Sequence, residues 1–161
     1  MAADQNNLGL LAQEVGDLDE ASRQFEAALA LNRRDGRDDV AATNLVNLAG
    51  LASLTGDFAR AEALYRDALS AWRERAMWAE AADALRGLGQ LEMRRGNYPA
   101  ARSALREALT ILDRTGPISD AISVQSDLAS ALAATGELQG ALDELRRAQQ
   151  RADSAGAPPD V

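Results

Sequence analysis

Apolar positions recur along this chain at spacings of three and four, in paired runs that meet at a glycine followed by a polar residue. Phe58, Ala61 and Tyr65 show the pattern, falling on one face of a helix that opens just after Gly56-Asp57. Gly56 tolerates the left-handed backbone that ends a helix, and Asp57 can accept hydrogen bonds from the free N–H groups of the next first turn. The stretch therefore predicts a tight turn between two helices. The same punctuation stands at Gly16-Asp17-Leu18, Gly96-Asn97-Tyr98 and Gly136-Glu137-Leu138, with a step of 40 residues each time.

Other positions keep the step. Leu8, Leu48, Leu88 and Leu128 are in register, as are Phe25, Tyr65, Leu105 and Leu145. Two alanine series follow it too: Ala21, Ala61, Ala101, Ala141, and Ala28, Ala68, Ala108, Ala148. A fixed period of this length is the signature of a repeat architecture in which neighbours share a core. The expected organisation is one array over 1–154, with repeats at about 1–37, 38–77, 78–117 and 118–154, and a disordered tail at 155–161. Each repeat holds a helix A (about 4–15, 38–55, 77–95 and 118–135) and a helix B (about 18–33, 58–75, 98–114 and 138–153). Asp17 and Glu20 suggest a capping box, Pro99 suits a first turn, and Gly116-Pro117 should stop the third helix B. No β pattern is present, so the expected fold class is all-α.

Composition narrows the function classes. Apolar residues make up 47% and aromatics only 4%, so the core must be built mainly from leucine and alanine, which suits close helix packing. The chain has no cysteine and no histidine, which removes thiol chemistry, the commonest general base and the commonest metal ligand. No catalytic triad of a familiar kind can be assembled, and neither an enzyme nor a cofactor is expected. Asp17-x-Asp19 and Asp38-Asp39 lack the spacing of a calcium loop and are better read as helix caps. A net charge of −8 argues against nucleic acid. Every cation is arginine, which together with the alanine content points to a GC-rich bacterial genome. No apolar run reaches the roughly 18 residues of a membrane span, and MAADQNN is not a signal peptide; a cytoplasmic location is favoured.

Leu8-Gly9, Ala21, Phe25 and Ala28, followed by Leu88-Gly89, Ala101 and Ala108, resemble the tetratricopeptide repeat. The early tryptophan is absent, and Arg33 and Arg73 replace the closing proline. The period exceeds the usual length of about 34 residues. Asp39-Val40-Ala41-Ala42-Thr43 leading into Asn47-Leu48-Ala49 looks like the lengthened, kinesin-light-chain type. The resemblance implies a right-handed superhelix of four antiparallel helix pairs, with helix A lining a concave groove that takes an extended peptide or a helix.

By the same resemblance the groove positions are Asn6, Leu10 and Gln13 in the first repeat, and Thr43, Asn47, Gly50 and Ser53 in the second. The third supplies Asp83, Arg86, Gln90 and Arg94, and the fourth Ser126, Asp127, Ser130 and Ala133. Only Asn47 matches the clamp by which some relatives hold a terminal carboxylate; Asn6, Leu10, Asp83 and Gly87 stand at its other positions, so that function does not carry over. The amides suit a peptide backbone, and Arg86 with Arg94 suits an acidic side chain. A solvated helix face is the plainer reading of each.

The implied function is a non-enzymatic protein-interaction module. The alternatives are a sensor or assembly segment of a larger bacterial regulator, and self-association, with a homodimer through the N-terminal face. That face should expose Leu11 and Val15, as though the first helix A were cut, whereas Gln149 and Ala152 suggest a polar, capping last helix. Trp72 and Trp78 are expected to be buried between repeats rather than presented to a partner.

Overall fold

The computed structural model describes residues 1–156, and among them it contains eight helices and no strand. They are α1 (Ala2–Glu14), α2 (Leu18–Arg34), α3 (Asp38–Leu54), α4 (Phe58–Glu74), α5 (Trp78–Arg94), α6 (Tyr98–Thr115), α7 (Ile118–Ala134) and α8 (Leu138–Gly156). Odd-numbered helices are the A helices and even-numbered ones the B helices of four pairs. The chain divides into two compact units, Met1–Met77 and Trp78–Val161, each holding two pairs.

The turns between paired helices close as expected. Gly16, Gly56, Gly96 and Gly136 take φ of 84°, 83°, 75° and 82°. After α1, the Gly16 N–H donates to the Gln13 carbonyl and the Asp17 N–H to that of Ala12 at 2.9 Å, which consumes two otherwise orphaned acceptors. Asp17 then caps α2 by accepting from the Glu20 N–H at 3.0 Å, and Asp57 does the same for Arg60 at 3.2 Å. The capping box is only half formed, because the Glu20 carboxylate is taken by Gln24 at 2.7 Å and by Arg23. Asp38 and Asp39 lie inside the first turn of α3, whose N-cap is Arg37; Asp38 pairs instead with Arg75 at 2.8 Å. At the turn after α4 the left-handed position is Ala76, with φ 55°, where the register has Gly36 one period earlier.

Within each pair, glycine in helix A admits a large side chain from helix B. A Cβ on Gly9 would lie 2.5 Å from the Phe25 ring, and one on Gly89 2.6 Å from Leu105 Cγ. Phe25 and Leu105 are fully buried as a result. The junction between the first two pairs is a cluster of Ala12, Ala21, Phe25, Leu48 and Leu51, edged by Leu18, Leu29 and Leu64.

Three expectations change. Trp72 is buried, its indole N–H donating to the Asp39 carbonyl at 3.2 Å, but Trp78 is 45% exposed. Trp78 is the first residue of α5, and Asp38 and Ile118, which open α3 and α7 at the same register, are exposed too. The last helix is not polar on its outer side, for Leu138, Leu142 and Leu145 are all exposed. Its departures from the register, the polar Gln149 and the small Ala152, lie in the C-terminal half, whereas the leucines occupy the first two turns. Finally, α8 continues to Gly156, two residues into the segment expected as a tail; the rest of that segment, 157–161, lies outside the described residues.

Candidate functional site

In the first unit the A helices are joined by a ladder of side-chain amides. Asn32 of α2 donates to Asn44 of α3 at 2.8 Å, and Asn44 donates to Asn6 of α1 at 3.0 Å. Asn47 also donates to the Asn6 carbonyl oxygen, at 2.9 Å. Asn32 and Asn44 are buried, while Asn6 and Asn47 are half-buried at the outer end. The ladder thus runs from an anchored base to a partly open tip. At the tip Asn6 accepts twice, and among the described residues its NH2 and the Asn47 side-chain oxygen have no hydrogen-bond partner. At the base, the Asn32 oxygen is buried without a partner. Asn32 and Asn44 are the residues the groove assignment missed. Their signal was asparagine at register positions occupied elsewhere by Trp72 or Leu112 and by Ala84 or Val124.

The remaining positions of this unit are unequal. Gln13 and Gly50 are half-buried, Thr43 and Leu10 exposed, and the Gly50 Cα faces the Tyr65 hydroxyl. Ser53 is buried and offers nothing to a ligand. The reason is that α3 packs on both α2 and α4, which leaves it little free circumference. A separate open cleft of about 390 Å³ lies between α3 and the C-terminal ends of α2 and α4, with Ala41, Ala42 and Ala71 as its apolar part and Arg33, Asp67 and Glu74 among its charges.

In the second unit the same register positions carry charge. Arg86 corresponds to Asn6 and Asp127 to Asn47, and the two bond, Arg86 Nε donating to Asp127 Oδ2 at 2.7 Å. Gln90 donates to the same oxygen at 2.8 Å. Arg86 is thus already engaged within the protein. Asp127, on the neighbouring A helix, pairs with Arg86, whereas Arg94 is exposed and has no ion pair among the described residues. The Ser126 and Ser130 hydroxyls turn back onto their own helix, donating to the Ile122 and Ser126 carbonyls at 3.0 Å; Ala133 beyond them is exposed.

Asp83 borders a cavity of about 100 Å³, with Ala79, Ala82, Arg86, Leu112, Asp120 and Val124 as its other walls. Desolvation raises the Asp83 carboxyl above its ordinary pKa, Asp120 pushes the same way, and Arg86 opposes them. The residue still keeps solvent access.

Helix pairs of this kind, with polar side chains bridging successive A helices, define a helical-repeat protein. The tetratricopeptide repeat model matches residues 1–74 and 80–154, and the chain belongs to that family, whose members generally mediate protein–protein interaction and are typically non-enzymatic. Among solved structures, BtubC (BKLC) of P. vanneervenii matches with a TM-score of 0.84 at 24% identity, over 99% of this chain and 66% of that one. The apo form of RapI gives 0.84 at 17%, over 96% and 56%. A Podosopora anserina kinesin light chain-like protein of nearly identical repeats gives 0.73 at 18%, over 98% and 77%. These likenesses concern the fold, and the chain spans about two thirds of BtubC and little over half of RapI. A search of curated protein sequences finds no match. Among the described residues no helix is long and apolar enough to cross a membrane.

Proposed function

We propose that the chain binds an extended segment of a partner protein along its A helices, and that the asparagine ladder reads the backbone of that segment. The observation that carries this reading is the tip of the ladder. Among the described residues the Asn6 NH2 and the Asn47 oxygen are unpartnered, a donor and an acceptor matched to a peptide C=O and N–H whatever the side chains. Asn44 and Asn32 beneath hold that pair in place, so little side-chain entropy is lost when the peptide binds. Arg94 adds a preference for an acidic residue, at a solvent-exposed position where salt screens the attraction.

The test begins with peptides captured by the wild-type chain from its source organism, remade synthetically and titrated by fluorescence anisotropy. Asn6→Ala with Asn47→Ala removes two hydrogen bonds of about 0.5–1.5 kcal/mol each, so affinity should fall roughly 5- to 150-fold. Arg94→Glu should weaken binding by less, and only at low salt. Unchanged affinity in the double asparagine variant would move the site elsewhere. A second reading, a sensor or assembly segment within a larger bacterial regulator, rests on the share of BtubC and RapI that the chain spans. It predicts that the captured segment comes from the chain's own parent protein.

A further inference from the structure

The first and last described helices expose apolar faces that are complementary in register. In the junction between the first two repeats, Leu48 and Leu51 of α3 pack on Ala12, Ala21 and Phe25, with Leu18 at the edge. Leu8 and Leu11 of α1 hold the register of Leu48 and Leu51 one period earlier, and among the described residues both are exposed. Leu11 is 56% exposed where Leu51 is 4% exposed.

The receiving half of the same junction recurs at the other end. Leu138, Ala141 and Leu145 of α8 hold the register of Leu18, Ala21 and Phe25, and Leu132 of α7 holds that of Ala12. Leu145 is 48% exposed where Phe25 is fully buried. Leu142, between them on the same face, is also exposed and adds an apolar side chain where the first repeat has Ser22.

We propose that these two faces form a head-to-tail interface between copies of the chain, α1 of one seated on α8 of another. The contact reproduces the junction that α3 already makes with α1 and α2. Its charges agree. In the template, Arg60 of α4 bonds Glu26 of α2 at 2.8 Å. One junction on, the corresponding residues are Arg146 of α8 and Glu20 in the next copy, so the signs are exchanged and the attraction is kept. Gln149 replaces Leu29 of the template, which makes the new contact smaller than the internal one and the assembly concentration-dependent. Because the two faces differ, every open oligomer retains one free α1 and one free α8, and further copies add unless a ring closes.

Sedimentation velocity over a concentration series tests this with Leu11→Glu and Leu142→Glu, both at exposed positions, each checked for unchanged helicity and melting. The wild-type chain should grow past dimer as concentration rises, and each variant alone should stay monomeric. Mixed one to one, the variants should form heterodimers and stop there, since each retains the face the other has lost. Arg146→Glu should weaken association, and Glu20→Arg on the other copy should restore it. A wild-type chain that stays monomeric throughout overturns the proposal. So does a Leu142→Glu variant that self-associates like wild type, which marks a symmetric α1 contact, or a Leu11→Glu variant that does so, which marks a symmetric α8 contact.

Discussion

Replacing Asn44 by valine separates what the asparagine ladder does for stability from what it does for binding. The substitution removes hydrogen bonds of 2.8 and 3.0 Å and leaves the Asn32 amide, 2% exposed, with neither its oxygen nor its nitrogen bonded. A buried amide stranded in this way costs about 1–3 kcal/mol, and the lost bond to Asn6 adds about 1 kcal/mol. Burial of valine's apolar atoms returns about 1 kcal/mol. The net loss is about 2 kcal/mol, or a fall in Tm of roughly 4–8 °C for a chain of this size. The second unit shows the apolar alternative at the same register, where Leu112 and Val124 are both buried. Copying it with Asn32→Leu and Asn44→Val together strands no polar group, so the double variant should return to within about 1 kcal/mol of wild type. Thermal and urea melts followed by far-UV circular dichroism read both numbers. The expected coupling between the two sites is about 2 kcal/mol. Additive losses, or a neutral single variant, would refute the account of the ladder as a chain of buried mutual partners. If the tip reads peptide, the stable double variant should still bind more weakly, because Asn6 has lost one of the two bonds that orient it.

Three further outcomes follow from the packing and the electrostatics. Gly89→Ala should destabilise the chain, because overpacking against buried Leu105 costs about 1–3 kcal/mol and helix propensity returns about 1 kcal/mol; in a Leu105→Ala background the sign should reverse, and equal effects in both backgrounds would count against the contact. Ala76→Gly should raise stability by roughly 0.5–1 kcal/mol, since a left-handed alanine costs about 1–2 kcal/mol and glycine's extra unfolded-state entropy offsets only part of that; an unchanged or lower Tm would contradict it. Asp83 holds its proton more tightly folded than unfolded, so its ionisation destabilises the fold as pH rises from the ordinary 3.8 through the raised value. Asp83→Asn should therefore melt higher than wild type at neutral pH despite losing the Arg86 attraction, with the gap closing in acid below both values; a gap that persists in acid would show that another effect sets the difference.

The helix pairs were legible in the sequence because their determinants are local. A glycine that adopts positive φ, a capping aspartate two residues before a buried face, and apolar spacings of three and four act over a single turn of chain. The 40-residue step then repeats those signals until the fold class is fixed, whereas the Gly9–Phe25 and Gly89–Leu105 contacts emerge only from the packing. The site depended on contacts about one period apart. That Arg86 is satisfied by Asp127, 41 residues on, and that Asn6 meets Asn44 and Asn47 follow from how far one A helix is displaced from the next; spacing along a single helix does not encode that distance. Exposure was settled the same way. Ser53 and Gln13 share a register position, yet Ser53 is buried because its helix has neighbours on both sides, and Leu145 is open where Leu105 is closed because among the described residues no later A helix packs on it. A side chain's identity is written in the chain, but whether it is core, bridge or surface is decided by the helix that packs beside it.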